Sequence, residues 1–313
     1  MTRTIFIAAA LALAVTLPAA PARAQAIRTF VSAAGSDSNI CTNVDTPCRN
    51  FAAAYALTAP EGEIDVLNPA NYGALTINQG ISIQGHGWAS VSAVSGGAAI
   101  TINGGDKINI SGVILDGGAA ASSTGIQFNS GGSLNIRDSV IRNFGQYGIS
   151  FVPNTSSLSQ LLVSNTLVSD NGGHGININP AGSGTTTGVL DHVQIENNAG
   201  SGLHVQTRTQ TINMTVSDSV SANNGNGIFA ESDGGTSVSV MVRNSTLANN
   251  TTTGVVAIKP GATLRVTRST ITGNGIAGWH NYGTGGIVPS YADNNIDGNG
   301  SNNSTPGSAI PYH

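Results

Sequence analysis

The chain has 313 residues, of which only 9% are charged and 39% are hydrophobic, and 41 are glycine. This composition excludes a chain disordered by charge and a collagen-like repeat. The net charge of −4 and the lack of any Lys/Arg cluster argue against nucleic acid as a partner.

Residues 1–24 are predicted to be a secretory signal peptide. Arg3 supplies a basic start, residues 5–17 form an apolar run, and the small-residue end at 22–24 precedes the predicted cleavage before Gln25. The run is shorter than the ~20 residues that a membrane-spanning helix needs. The sequence therefore predicts a secreted or periplasmic protein without a membrane span.

Residues 25–60 are predicted to form an N-terminal cap. It contains the only two cysteines, Cys41 and Cys48, which we expect to form a disulfide in an exported protein. Two thiols without a nearby histidine would leave zinc half-coordinated, so no metal or cofactor is predicted. A short helix is expected within residues 49–59, covering the open apolar end of the domain that follows with one side: Phe51, Tyr55 and Leu57.

Six similar segments follow from residue 136 onward. They begin at residues 136, 163, 190, 216, 242 and 266, which are 27, 27, 26, 26 and 24 residues apart. Each opens on an aliphatic residue and reaches an asparagine, then a glycine followed by an apolar residue. Apolar and polar residues alternate with period two, which is typical of strands. Repeats of this length with short strands bury their apolar sides by stacking, so the sequence predicts a parallel β-helix.

The alignment of these segments predicts columns, which are residues at the same position in successive coils. Two columns are apolar and are expected in the core: Ile136, Val163, Leu190, Val216, Val242 and Val266; and Ile149, Ile176, Leu203, Ile228, Val255 and Trp279. An asparagine ladder is predicted at Asn171, Asn198, Asn224, Asn250 and Asn274. A further column is glycine, where either a positive φ or close approach of the next coil is expected: Gly148, Gly175, Gly202, Gly227, Gly254 and Gly278.

With these repeats, residues 61–300 resemble the pectate-lyase-like superfamily of right-handed parallel β-helix proteins. The preceding stretch, from "TFVSAAGSDSNICTNVDTPCRNF" to "ISIQG", is similar to exported bacterial β-helix repeat proteins of unsettled activity. The resemblance implies an all-β, right-handed parallel β-helix at 61–300 with a short N-terminal capping helix. Residues 301–313 lose the apolar periodicity and are expected to be a tail.

The tripeptide Gly173-His174-Gly175 is similar to one that polygalacturonases carry beside their catalytic carboxylates. Here no carboxylate pair accompanies it, and acid–base cleavage of a glycoside needs two carboxylates. In the other repeats the position of His174 holds tyrosine, serine, asparagine, threonine or alanine, so we interpret it as a turn. The second such tripeptide, at residues 85–87, is equally unaccompanied.

In the superfamily, the functional groove lies on the outward face of the first strand of each coil. The outward residues expected there include Arg137, Asp191 and Arg243, with Asp191 two coils from each arginine. Arginine forks match uronate carboxylates, which favours an acidic sugar chain as the ligand. In pectate lyases arginine is the base and several carboxylates hold calcium. A single aspartate offers too few oxygens for a calcium site, which disfavours lyase chemistry.

A second candidate surface follows the turn glycine and contains Asn177, His204 and Glu231, with Phe229 beside them. Amides pair with sugar hydroxyls and aromatic rings stack on sugars. A plain solvated face of a polar solenoid is the alternative. The sequence leaves open whether His204 and Glu231 meet as an acid and a base.

Three functions stay open at this point. The first is a non-catalytic exported protein that binds polysaccharide or cell-envelope glycan, which we favour because no catalytic set is complete. The second is a polysaccharide lyase, hydrolase or epimerase acting on an acidic polysaccharide, and the third is a structural or adhesive surface protein. The ligand and the oligomeric state are not determined by the sequence.

Overall fold

The structure is a computed structural model that describes residues 25–118, 120–306 and 308–311. The predicted signal peptide lies outside the described residues. The fold is all-β, a right-handed parallel solenoid of about 9 turns with one short helix near its start. The seven-residue helix is too short to cross a membrane, and no other helix occurs in the described part of the chain.

The helix and strands, in chain order, have the following bounds. The first half of the solenoid contains β1 (Ala26–Val31), α1 (Phe51–Leu57), β2 (Thr58–Val66), β3 (Ala70–Asn71), β4 (Leu75–Ile77), β5 (Ile81–Ser92), β6 (Ala98–Ile102), β7 (Lys107–Asp116), β8 (Thr124–Phe128), β9 (Ser133–Arg137), β10 (Val140–Arg142), β11 (Ile149–Phe151), β12 (Leu158–Ser164), β13 (Leu167–Ser169) and β14 (Ile176–Ile178). The second half contains β15 (Thr185–Asp191), β16 (Gln194–Glu196), β17 (Leu203–Thr207), β18 (Thr211–Ser217), β19 (Val220–Ala222), β20 (Ile228–Ser232), β21 (Val238–Arg243), β22 (Thr246–Ala248), β23 (Thr253–Ile258), β24 (Ala262–Thr267), β25 (Thr270–Thr272), β26 (Ala277–His280), β27 (Pro289–Ser290), β28 (Asn295–Asp297) and β29 (Ser308–Ala309).

Each regular coil contributes one strand to each of three parallel faces. The first face carries the long strands β9, β12, β15, β18, β21 and β24, and the second face carries the short strands β10, β13, β16, β19, β22 and β25. The third face is the nine-stranded sheet from β4 to β26. In the early coils, β5 and β7 run continuously around the corner between the first and second faces.

Both predicted apolar columns are confirmed. Ile136 pairs with Val163 and so on to Val266 on the first face, and Ile149 pairs with Ile176 and so on to Trp279 on the third. Their aliphatic members are all nearly inaccessible to solvent. At ~1.5–3 kcal/mol for each buried aliphatic side chain, these columns are the main gain that opposes the conformational entropy of the chain.

The asparagine ladder is also confirmed, and it extends one coil further, to Asn299. At four of the five steps the side-chain amide donates to the amide oxygen of the next rung, for example at 2.7 Å from Asn171 to Asn198 and at 2.8 Å from Asn274 to Asn299. Each of these amide oxygens also accepts the backbone N–H of the preceding asparagine. At the remaining step only the backbone N–H of Asn224 donates to Asn250. The ladder therefore satisfies buried turn groups between coils.

Of the two alternatives predicted for the turn glycines, the structure shows close approach of the next coil and not a positive φ. None of the six has a positive φ; they are required because the next coil approaches too closely for a side chain. A Cβ at Gly175 would lie 2.5 Å from the Ile195 Cγ2 atom and 2.8 Å from the Gly202 oxygen. One column of left-handed residues lies at the corner between the first two faces, with φ of 47–53°: Asp138, Asn165, His192, Asp218, Asn244 and Arg268. A second column directly precedes the position of the asparagine ladder, with φ of 55–60°: Asn143, Asp170, Asn197, Asn223 and Asn249.

The N-terminal end of the solenoid is covered by α1 and the disulfide loop. The alanine-rich helix buries Phe51 and Ala54, while Tyr55 is half-buried and its hydroxyl accepts the backbone N–H groups of residues 78 and 79. The disulfide predicted between Cys41 and Cys48 is present, with Cα atoms 5.1 Å apart. Its loop hydrogen-bonds to Phe30 on the outer edge of β1, which shields that edge.

The opposite end contains the segment predicted as a tail. Its described part is in contact with the last coils: β29 pairs with β27, and the Trp279 indole donates to the Ser304 carbonyl at 3.0 Å. The Gly278 N–H donates to the Ser301 carbonyl at 3.0 Å. Hydrogen bonds to the last coils, rather than an apolar column that continues the repeat, therefore hold the described part of this segment.

Candidate functional site

A groove of about 850 Å³ lies along the outer side of the first face. It runs across seven successive coils, from β7 to β24, and ends near Tyr291. Side chains at alternate positions of each strand point into it, because successive residues of a strand face opposite sides. Two columns supply most of its lining: Lys107, Ser133, Gln160, Thr187, Asn213 and Ser239; and Asn109, Asn135, Leu162, Val189, Thr215, Met241 and Arg265.

The charged residues of this groove are both cations. Lys107 lies at one end and is exposed, and Arg265 lies at the other, where its guanidinium donates to the Ser239 hydroxyl at 2.9 Å. No carboxylate occurs among the described residues that line the groove. The two cations are six coils apart, which is ~29 Å at ~4.8 Å per strand spacing. The ionic lining of the groove is therefore cationic, with one charge near each end.

The middle of the groove is apolar. Leu162 and Val189 are 37% and 40% exposed on its floor, beside Met241. Below them, Gly188 occupies a core position that holds leucine or methionine in neighbouring coils, and the Met214 side chain lies over it. The floor can therefore contact the C–H surface of a bound chain, while the polar columns hydrogen-bond to it.

The predicted column of Arg137, Asp191 and Arg243 lies along the edge of the groove. Each of its members is two residues after a lining residue of the same strand, as Arg137 is after Asn135. The register confirms their spacing of two coils, and also places Asp65 in the same column near the N-terminal end. Among described residues, no side-chain partner contacts the exposed Arg137 guanidinium.

Asp191 and Arg243 are held by neighbours within the protein. Asp191 accepts the Ser217 hydroxyl at 2.6 Å and pairs with His192 at 2.9 Å, and these contacts lower the pKa of its carboxyl group. The same carboxylate raises the pKa of His192. Arg243 pairs with Asp218 at 3.4 Å. The three residues predicted as a charged face therefore differ, because only Arg137 is free to bind a ligand without losing an existing partner.

The second predicted surface contains a column of four aromatic rings. Tyr147, His174, His204 and Phe229 are half-buried and stack in that order, with centroids 5.7, 4.3 and 5.3 Å apart. The ring faces lie against each other, which leaves mainly their edges to solvent. The structure brings Asn177 to His204, with 3.1 Å between the amide oxygen and the His204 Nδ1 atom, but Asn177 is only 7% exposed.

Glu231 lies on the same face but is part of an ion-pair network. Lys259 contacts Glu231 at 2.6 Å and Asp233 at 2.8 Å, and Arg208 contacts Asp233 at 2.8 Å. The Glu231 carboxylate also accepts the side-chain amide of Gln206 at 3.2 Å. These contacts connect adjacent coils and occupy the carboxylate, which gives Glu231 a structural role in this arrangement.

The fold has a match among known families. Residues 64–240 and 124–300 match the family described as right handed beta helix region. The chain belongs to this family. No curated protein sequence matches it significantly.

Solved structures give the same fold. Pectate lyase Pel9A is 17% identical, with a TM-score of 0.55 over 90% of this chain and 73% of that one. The Azotobacter vinelandii mannuronan C-5 epimerase AlgE4 A-module is 14% identical, with a TM-score of 0.47 over 76% and 87% of the two chains. A rhamnogalacturonan lyase is 10% identical, with a TM-score of 0.33 over 83% and 84%. At these identities the likeness concerns the fold.

Sequence reasoning missed Lys107 as a groove residue. The outward positions that it named begin at Arg137, in the first regular repeat, whereas Lys107 lies one coil earlier, on a strand that runs continuously around the corner. A signal was available in the composition, because Lys107 is one of only two lysines in the chain. In the described part of the chain, no cluster of three or more His, Cys, Asp or Glu side chains is arranged to hold a metal ion.

Proposed function

We propose that this protein is exported and binds an acidic polysaccharide, with a uronate chain lying along the groove of the first face. The observation that carries the proposal is the charge of the groove, whose ionic lining residues are Lys107 and Arg265. Between them, the aliphatic floor contacts sugar C–H surfaces and the Asn, Gln, Ser and Thr side chains meet hydroxyl groups. Arg137 adds a third cation along the edge.

The proposal is for binding rather than cleavage. Hydrolysis of a glycoside uses two carboxyl groups on either side of the bond, and the described lining of the groove supplies none. A calcium-dependent elimination would require several oxygen ligands at the same place. The pectate lyase of similar fold supports a uronate polymer as ligand at the level of the fold alone.

Export is part of the same proposal. The predicted signal peptide and the disulfide between Cys41 and Cys48 both favour an oxidising compartment outside the cytoplasm. Polysaccharides of the cell envelope and of the surroundings are accessible there. Mass spectrometry of the exported protein would detect a chain that begins at Gln25 and contains no free thiol.

The test compares hexagalacturonate binding, by calorimetry, in the wild type and in the Lys107→Ala, Arg265→Ala double variant. We expect about tenfold weaker binding at low salt, since each exposed charge contact contributes ~0.2–1 kcal/mol. Binding by the wild type should also weaken with salt, because exposed contacts are screened.

The matched control removes two other arginines, Arg142 and Arg208, which pair with Asp116 and Asp233 outside the groove. The Arg142→Ala, Arg208→Ala variant should keep the wild-type affinity. Equal affinity in the two double variants would overturn the proposal. Formation of unsaturated uronate ends, seen as an increase in ultraviolet absorbance, would replace binding with lyase activity.

A further inference from the structure

The corner that contains the second Gly-His-Gly tripeptide is longer than the corner of the next coil. Five residues, 85–89, separate Gln84 from Ser90, whereas two residues, 112–113, separate their partners Ser111 and Ile114. The additional residues project from the solenoid, because His86, Gly87 and Trp88 are all exposed. Neither the core nor the groove uses this segment.

The projecting segment is held in a defined conformation. His86 and Gly87 have φ of 55° and 82°, so the chain makes a left-handed turn. Beneath it, Gly112 approaches so closely that a Cβ there would lie 2.7 Å from the His86 nitrogen. The His86 Nε2 atom lies 2.6 Å from the Asp65 Oδ1 atom, in the preceding coil. The tight turn and this bond together fix the loop against two neighbouring coils.

This loop presents an aromatic side chain to solvent. Trp88 is 44% exposed, and its ring centroid lies 5.8 Å from that of His86. Among described residues, the indole N–H, the second Asp65 oxygen and the His86 Nδ1 atom have no hydrogen-bond partner. An exposed aromatic ring thus lies next to His86, which is bonded to Asp65, and each of the three residues has an unused hydrogen-bonding group. The stacked rings of the third face lack this combination.

The charge around Trp88 differs from that of the groove. Glu63 and Asp65 lie on β2, on the same side of the strand, and Glu63 pairs with Arg28 at 2.7 Å. The ionic group that this loop contacts is therefore a carboxylate, that of Asp65, rather than a free cation. A uronate would be repelled here, whereas a carboxylate accepts hydrogen bonds from the hydroxyls of a neutral sugar.

We propose that Trp88, His86 and Asp65 form a binding site for a neutral pyranose. The C–H face of the sugar ring packs on the indole, and its hydroxyls bond to the free Asp65 oxygen and to His86. The site is independent of the proposed uronate groove, since none of its residues lines the groove and it selects a neutral rather than an acidic sugar. It would allow the protein to recognise a neutral glycan as well as an acidic one.

The experiment measures tryptophan fluorescence during titration with hexasaccharides of glucose, mannose and galactose. The chain has two tryptophans, and Trp279→Phe serves as the control because Trp279 is half-buried at the other end of the solenoid. We expect saturable quenching by at least one of the three sugars in the wild type and in Trp279→Phe. Calorimetry should show about tenfold weaker binding in Trp88→Ala and near wild-type binding in Trp88→Phe, which retains an aromatic face.

Two outcomes would overturn this site: no saturable quenching with any of the three sugars, or equal affinity in Trp88→Ala and the wild type. Because Trp88 is exposed, its replacement should leave the melting temperature unchanged, and that measurement excludes misfolding. Hexagalacturonate binding should be the same in Trp88→Ala as in the wild type. Failure of the groove proposal would change only the hexagalacturonate results, so the two proposals can fail separately.

Discussion

His174 and His204, in adjacent coils, stack face to face with ring centroids 4.3 Å apart and planes 3° from parallel. The Ser201 N–H donates to the His174 Nδ1 atom at 2.9 Å, so that nitrogen carries no proton. Burial lowers the pKa of both histidines, and lowers that of His204 to about 3, with a smaller contribution from the neighbouring His174. The pair is therefore neutral in the folded protein at neutral pH.

The lowered pKa of His204 predicts that the folded protein loses stability as the pH falls. The pKa of unfolded His204 is near 6.5, so below that pH the unfolded chain binds a proton that the folded protein excludes. The stabilisation is complete above pH ~6.5 and is lost as the pH falls toward the folded value. Between about pH 7 and about pH 4.5, His204 should account for a loss of ~2 kcal/mol in the free energy of unfolding.

Urea denaturation at the two pH values tests this in His204→Phe, which keeps the ring but does not titrate. Its loss of stability on acidification should be smaller than that of the wild type by ~2 kcal/mol. The control is His192→Gln. Asp191 raises the pKa of His192, so this exposed histidine stabilises the fold at low pH, and its removal should not reduce the acid loss. An identical loss in His204→Phe and the wild type would contradict the prediction.

Asn224→Ala should destabilise the middle of the ladder. Asn224 is 1% exposed; its oxygen accepts the side-chain and backbone N–H groups of Asn198, and its amide donates to the Ile195 carbonyl. Alanine would leave buried groups unpaired, which costs ~1–3 kcal/mol each, so we expect a loss of ~3 kcal/mol. Asn213→Ala, at an exposed groove position, should change stability by less than ~0.5 kcal/mol.

Thermal and urea unfolding would measure both variants, with hexagalacturonate binding as a second readout. A structural ladder predicts reduced stability in Asn224→Ala with unchanged affinity for the ligand below the melting transition. Unchanged stability with lost binding would instead make the ladder a ligand site.

Two glycines at positions with different neighbours should respond differently to alanine. At Gly175 the added Cβ would meet a methyl group of the buried Ile195 and the Gly202 backbone oxygen, so we expect a loss of ~2–3 kcal/mol. At Gly188 the added Cβ would meet the flexible end of Met214 at 2.5 Å. Because that side chain can move, Gly188→Ala should cost less than ~1 kcal/mol. Equal losses in urea unfolding would contradict the assignment of close approach at the turn.

Arg137 and Arg243 occupy the same column and allow a matched comparison of uronate binding. Arg137 is free, whereas Asp218 holds Arg243. We expect Arg137→Ala to weaken hexagalacturonate binding about threefold at low salt. Arg243→Ala should weaken it by less than about 1.5-fold. Calorimetry at low and high salt would measure both. A larger effect of Arg243→Ala would mean that its pair with Asp218 opens when the ligand binds.

The regular part of the fold was predictable from the sequence because a parallel solenoid converts sequence repetition into contact. Residues one period apart, such as Val163 and Leu190, pair directly, so an alignment of the repeats is also a register. The asparagine ladder followed for the same reason. The sequence could not distinguish positive φ from close approach at Gly175, since both exclude a side chain and only the position of the next coil separates them.

The candidate sites depended on contacts that do not follow the repeat. His174 is a turn residue whose column partner is Ser201, yet its ring packs on His204, and Lys259 reaches back to hold Glu231. Likewise, the long corner at His86 and Trp88 contains residues with no equivalent in the next coil, so an alignment of the repeats does not reveal it. The sequence thus determined the architecture, the core columns and the outward positions, because these depend on backbone pairing. Which outward charges are free and which are paired was decided by the tertiary structure, because long side chains reach across coils and corners.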